Sequence, residues 1–283
     1  GLLALSFALL MGATPFHWWM PSLADDGEPM AAAFAFTVTH SAVWFLLLSF
    51  LETYPDIAAY GQFGSLASGM GLAMVGFGGV LAAAQRRPGR VLGYAVLADS
   101  GAALVALGLA SEGGLALALL GVLARPFGIL LMAAGVQGLR DQASDTPLPV
   151  EDMRGVAGAA PWSTLAFLVG GLSIAGLPVT AGFGARWALY RGLGGQGFVS
   201  ALVMLMAGAG VLVGTWRVLA GVVAELTVED LTKEHRRAVE PEGWARGVVI
   251  LVGVAACIAV GMMPQFLAST AAHLSGFYTF LVP

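Results

Sequence analysis

Eight apolar runs fill most of this chain: Leu2–Phe16, Ala31–Leu51, Phe63–Ala84, Val91–Ala110, Leu115–Leu139, Trp162–Leu189, Phe198–Val223 and Gly247–Leu267. A helix needs about 20 apolar residues to cross the hydrocarbon layer of a bilayer. Long runs of Ala, Leu and Gly without two-residue alternation read as helices, because strands in lipid survive only in closed barrels. The expected fold is therefore all-α, a polytopic membrane protein with about eight transmembrane helices in a single domain spanning residues 1–283. Composition agrees: charged residues are 11% of the chain, against about 25% in soluble domains. The 40 glycines suit helices that pack closely in lipid. The first run is short and opens at Gly1 without an initiator Met or a recognisable signal peptide. An N-terminal portion removed or processed is therefore expected.

Basic residues set the expected topology. With eight spans, one side receives Arg86, Arg87, Arg90, Arg140, Arg154, Arg217, Lys233, Arg236, Arg237 and Arg246, ten of the 13 Lys and Arg. The other side receives only Arg191. The basic side is expected to be cytoplasmic, in the inner membrane of a bacterium. Two polar loops, Arg140–Ala160 and Ala224–Ala245, lie there. In the second, Leu226, Val228 and Leu231 alternate with Glu225, Glu229, Asp230 and Lys233; it reads either as a surface-lying amphipathic segment or as a solvated connector.

Five ionisable residues fall within the apolar runs or at their ends: His40, Glu52, Asp99, Arg125 and Arg186. Each costs about 2.5–3.5 kcal/mol at a helix centre on insertion scales, so such groups mark a polar path or a fixed ion pair. His40 either exchanges protons or bonds a neighbouring carbonyl. Asp99 and Arg125 lie mid-span on consecutive antiparallel runs joined by a short turn. An Asp99–Arg125 pair is expected, as a static lock or as part of a path. If the pair stood alone, Arg125→Ala would destabilise the fold unless Asp99 were neutralised too. Arg186 follows a stretch holding Gly176, Pro178, Gly182 and Gly184. That stretch is poor helix and reads as a break at membrane depth, a device found where backbone lines a cavity or ion path. His17, His235 and His273 read as structural or solvated. The single Cys257 excludes an internal disulfide and a cysteine-only metal site.

Four motifs carry a family resemblance. PFHWWMPSLADDGEPMAAAF, FTVTHSAVWFLL, RRPGRVLGYAVLADSGAALVALG and SIAGLPVTAGFGARWALY occur in that order. Together they resemble the signature segments of the antiporter-like membrane subunits of respiratory complex I, closest to the N-type, and of their relatives in Mrp cation antiporters and membrane hydrogenases. The resemblance covers most of residues 1–190, and GMMPQFL continues it near the end. It implies the seventh to fourteenth helices of a fourteen-helix fold built from two inverted repeats. The first repeat, with its glutamate on the fifth helix, has no counterpart in these residues, and a separate chain supplying it is an implied partner. The other implied partners are the membrane and redox subunits of a larger complex, and the lipid bilayer.

At the family's key positions the chemistry is altered. The resemblance sets Leu10 and His40 where the family has lysines, Asp99 where it has a histidine, and Arg186 in place of the broken-helix lysine. Neutralising a lysine of pKa about 10.4 at pH 7 costs about 4.6 kcal/mol, whereas an arginine needs at least about 7.5. Arg186 thus suits a fixed charge, while His40 and Asp99 remain able to titrate. The implied function is proton translocation within an NADH:quinone-oxidoreductase-type assembly. The alternatives are a degenerate scaffold, or a subunit of a cation/proton antiporter or carbon-dioxide-hydrating complex. With no nucleotide loop, cysteine cluster or haem ligand pair, the chain is expected to be non-catalytic by itself, without cofactor, metal or nucleic acid.

Overall fold

The computed structural model describes residues 2–59, 62–109, 111–143, 149, 153–194, 198–224, 242–278 and 280. Among them the chain is helical throughout. Helix α1 (Leu2–Leu10) leads through a 3-10 turn (Phe16–Trp18) into α2 (Trp19–Asp26). Then α3 (Pro29–Phe34), a π-helical turn (Ala35–Thr39) and α4 (His40–Thr53) run on as one span, followed by the short α5 (Pro55–Ala59). Helices α6 (Phe63–Ala84), α7 (Pro88–Leu107) and α8 (Glu112–Gln142) come next. After α9 (Val156–Ala159), α10 (Pro161–Ala175) and α11 (Phe183–Leu193) form a broken pair. Helices α12 (Phe198–Val223), α13 (Trp244–Met262) and α14 (Gln265–Ser275) complete the described chain.

Six of these helical segments are long and apolar enough to cross a membrane. The broken α10–α11 pair takes the place of the predicted span Trp162–Leu189. Within the predicted first run Leu2–Phe16 the described helix is α1, which ends at Leu10 after nine residues, about 13 Å. The chain turns at Gly12, whose φ of 66° is open to glycine and strained for other residues. The last predicted span divides at Met263–Pro264 into α13 and α14, because the proline ring is incompatible with a continuing helix. The amphipathic segment around Leu226, Val228 and Leu231, and His235, lie outside the described residues, as do residues 144–148 and 150–152 of the loop after Arg140.

Helix α7 is the hub, with 89% of its apolar window buried. It packs against α6, α8 and α2, while α8 runs against α10. The close crossings rest on absent side chains. A Cβ on Gly101 would lie 2.6 Å from the Gly71 carbonyl oxygen, and one on Gly170 would lie 2.7 Å from that of Gly128. Backbones in lipid gain dispersion contacts by approaching this way.

One end of the bundle is tied by charge. Asp25, at the end of α2, is 1% exposed. Its carboxylate pairs with Arg87 at 3.1 Å, Arg90 at 3.0 Å and Arg140 at 3.6 Å. Arg140 also donates to the carbonyls of Ala24 at 3.1 Å and Gly27 at 2.8 Å, satisfying the C-terminal end of α2. At the same end, Glu242 accepts from the backbone N–H groups of Trp162 at 3.0 Å and Ser163 at 3.2 Å, and from the Ser163 hydroxyl. It caps α10 from nearly eighty residues away. Arg246 joins Glu242 to Asp141 of α8. Glu242→Ala is expected to cost about 1–2 kcal/mol, the usual loss of an N-cap. Hydrogen exchange at Trp162 and Ser163 reads it: their amides should lose protection while those of α7 keep theirs.

Candidate functional site

The predicted charges of three spans converge. Arg125 Nε donates to Asp99 Oδ2 at 2.8 Å. From the other side, Arg186 Nη2 lies 3.3 Å from Asp99 Oδ1. Asp99 is thus shared by two guanidiniums, and the expected Asp99–Arg125 pair is one half of a triad. The Arg125 side chain is wholly buried, and those of Arg186 and Asp99 are 10% and 16% exposed.

Local structure explains how Arg186 arrives. Helix α10 ends at Gly176, in the left-handed region with φ 80°. A Cβ there would strike the stem of Arg186, so the glycine lets the arginine fold over the helix end. Arg186 Nη2 then donates to the Ile174 carbonyl at 3.3 Å, where the free carbonyls of α10 favour a cation. Pro178 lies in the connecting turn, and Val179 holds φ at 73°. For a β-branched residue that conformation is strained. The Gly182 N–H donates to Ser173 Oγ at 3.3 Å, bridging the break. A Cβ on Gly184 would sit 2.8 Å from Pro264, so this break packs against the one between α13 and α14.

His40 is 2% exposed and follows directly on the π-helical turn Ala35–Thr39. Such one-residue insertions re-aim the side chains after them. Neither ring nitrogen of His40 has a hydrogen-bond partner. The π-helical turn before His40 packs against α8, the helix that carries Arg125. Glu52 lies twelve residues beyond His40 on α4, about 18 Å along the axis, and accepts from the Phe280 N–H at 3.1 Å.

A cavity of about 30 Å³ adjoins the triad, lined by Asp99, Arg125 and Arg186 with Ala103, Gly121 and Leu117. From the triad its lining follows α7 towards its C-terminus, α8 towards its N-terminus and α11 towards its C-terminus. All three run away from the Asp25 end. A second pocket, sharing Leu117, lies at the turn between α7 and α8 with Ser111, Gly114 and Gly192. Towards the Asp25 end the seam between α8 and α10 is closed: a Cβ on Gly135 would collide with the backbone of Phe167. The two pockets thus meet at Leu117, on the side of the triad away from the Asp25 end.

Sequence reasoning overlooked Asp25, whose arginine partners served there only for counting charge. Asp25 gave no local signal, because its partners Arg87, Arg90 and Arg140 lie 62, 65 and 115 residues further on. Glu242 and Arg246 gave none, because their partners are far off in sequence. His17 is buried beside Trp18, Phe77 and Tyr94, with ring centroids 5.5–6.3 Å away; burial pushes its imidazole below the usual histidine value. His273, on α14, stands edge-on to Phe277 at 5.3 Å.

Comparison with known proteins follows this geometry. Residues 1–214 match the family model for the transmembrane region of NADH:quinone oxidoreductase and Mrp antiporter subunits. NADH-quinone oxidoreductase subunit N of Ectopseudomonas mendocina is 29% identical over 272 residues, covering 94% of this chain and 53% of that protein. The subunit N of Rhodopseudomonas palustris is 34% identical over 195 residues, covering 68% and 41%. The chain thus spans about half the length of the curated relatives it matches. Among solved structures, a chain of the Mrp complex from Dietzia sp. superposes with a TM-score of 0.83 at 16% identity, covering 97% of this chain and 58% of that one. A chain of respiratory complex I from Thermus thermophilus superposes at 0.79 with 20% identity, covering 99% and 58%. At these identities the structural matches establish the fold alone.

Proposed function

The chain belongs to the transmembrane family of NADH:quinone oxidoreductase and Mrp antiporter subunits, and from that membership we propose that it is a membrane subunit of a complex-I-like assembly that moves protons. Residues 1–283 act as one membrane domain. The observation that carries this reading is the buried triad Arg125–Asp99–Arg186, which lines a cavity inside the helix bundle. Buried charges of this kind in lipid mark ion pathways. His40 and Asp99 take and release the proton. Arg125 and Arg186 stay charged and set the field in which it moves. Energy comes from redox subunits elsewhere in the assembly. The end carrying Asp25, Arg87, Arg90 and Arg140 faces the cytoplasm, in accord with the basic bias of its loops.

His40→Ala is expected to slow proton transfer through this subunit by roughly a hundredfold, the size of effect of losing a positioned proton carrier. Asp99→Asn should do the same wherever the assembly forms. The measurement is protons translocated per electron in inverted membrane vesicles. Unchanged stoichiometry in both variants removes these residues from the path.

A second reading, a scaffold without transport, draws on one observation. Asp99 is held on both sides by guanidiniums, an arrangement that also serves as a lock between α7, α8 and α11. The charge-free variant discussed below separates the two.

A further inference from the structure

Between the triad and the turn that joins α7 to α8, each helix of the triad lines the way with one stripe of small or apolar residues. On α8 the stripe runs from Arg125 through Gly121 to Leu117 in steps of four. On α11 it runs from Arg186 through Leu189 to Gly192 in steps of three. Both spacings keep side chains on one helix face. On α7, Asp99 is followed by Ala102 and Ala103. Among the described residues, no polar side chain lines this stretch between the triad and Ser111 at the turn. Ser173, the remaining polar group of the cavity lining, lies beyond Arg125, against Gly128.

Leu117 stands across this stretch, for it lines both the triad cavity and the pocket at the turn. It comes eight residues before Arg125, about 12 Å along the axis, and six after Ser111, about 9 Å. A Cβ on Gly192 would sit 3.6 Å from Leu117 Cδ1 and 3.3 Å from Leu109 Cδ1, so the two leucines close on the bare backbone of α11. One turn inward, a Cβ on Gly121 would meet nothing within 4 Å, which leaves space beside Leu117 for a second rotamer. Water in an apolar passage lacks the roughly two to four polar partners that hold a buried water. An apolar constriction therefore stays dry when narrow and wets when it widens.

We propose that Leu117 is a hydrophobic gate that controls water entry to the Arg125–Asp99–Arg186 triad from the side of the α7–α8 turn. With the leucine seated on Gly192 the passage is dry, and a proton has no hydrogen-bonded chain to follow. With the leucine turned away, water joins the triad to that side. The part the gate plays for protons rests on the function proposed above; its control of water does not.

The test is the reaction of silver ion, no larger than a water molecule, with the thiol introduced by Gly121→Cys in the assembly isolated from its membrane, in nitrate buffer. Mass spectrometry of the peptide that carries the thiol reads the rate, with the buried Cys257 as internal reference. Leu117→Ala is expected to speed the reaction by about tenfold or more, and Leu117→Phe to slow it by a similar factor. Equal rates in all three backgrounds overturn the gate. Acceleration in both variants also overturns it, because a packing defect then admits the ion. If Leu117→Ala fails to assemble, Leu117→Phe decides alone, and a rate that is unchanged or faster overturns the gate. Protons translocated per electron are measured on the same Leu117 variants with Gly121 intact. Opposite shifts in silver rate with unchanged stoichiometry uphold the gate for water and overturn its part in proton movement, so the two failures are told apart.

Discussion

Asp99→Ala is expected to destabilise the chain by about 3–5 kcal/mol, more than the loss of either arginine. Removing one partner from a buried ion cluster leaves the rest as an uncompensated charge. Here it leaves two guanidiniums facing each other across the cavity, since Asp99 accepts from Arg125 at 2.8 Å and from Arg186 at 3.3 Å. Arg125→Ala removes a cation and leaves Asp99 paired one to one with Arg186, so its loss is smaller. The order of effects is the diagnostic, measured as unfolding midpoints of the solubilised assembly. It also reverses the expectation from sequence. With an isolated Asp99–Arg125 pair, neutralising Asp99 would rescue Arg125→Ala. With a shared carboxylate, the double change strands Arg186 and is worse than Arg125→Ala alone. Rescue by Asp99→Asn would mean that Arg186 does not engage Asp99.

That reversal marks where the sequence is readable. Spans such as Phe63–Ala84 and Phe198–Val223 coincide with their helices because bilayer thickness and apolar content set both limits. The break between α10 and α11 was legible too, since Gly176 and Pro178 impose it locally. The Asp99–Arg125 pair followed from two mid-helix charges on consecutive antiparallel helices. Arg186 could be placed on the broken helix but not on Asp99: its reach depends on the left-handed Gly176 over which its stem folds. The first run overran its helix at the C-terminal end, because hydropathy continues through Phe16 while the backbone turns at Gly12. Asp25 and Glu242 were invisible as sites because their roles arise where chain ends of α2, α8 and α10 meet. Glu52 was singled out for its position at the end of an apolar run, and its bond from the Phe280 N–H, 228 residues away, gave no signal in the sequence.

Replacing the whole triad by apolar residues separates transport from architecture. In Asp99→Leu/Arg125→Met/Arg186→Met no buried charge is left unpaired, and a buried ionic triad exchanged for apolar side chains of similar volume is often neutral, or stabilising by about 1–4 kcal/mol. The exchange also removes the bond from Arg186 to the Ile174 carbonyl, worth about 1 kcal/mol. The variant is therefore expected to assemble in wild-type amounts and to melt within a few degrees of wild type. The three charges of the proposed path on α7, α8 and α11 are gone, so proton transfer through this subunit should cease. Translocation per electron should then fall to what the other subunits supply, with electron transfer itself retained. The comparison is decisive because stability is kept under both readings and only transport differs between them. If stability is kept and the stoichiometry drops, the triad is part of a proton path. If stability is kept and the stoichiometry is unchanged, the triad is a lock, and the chain serves the assembly as a scaffold.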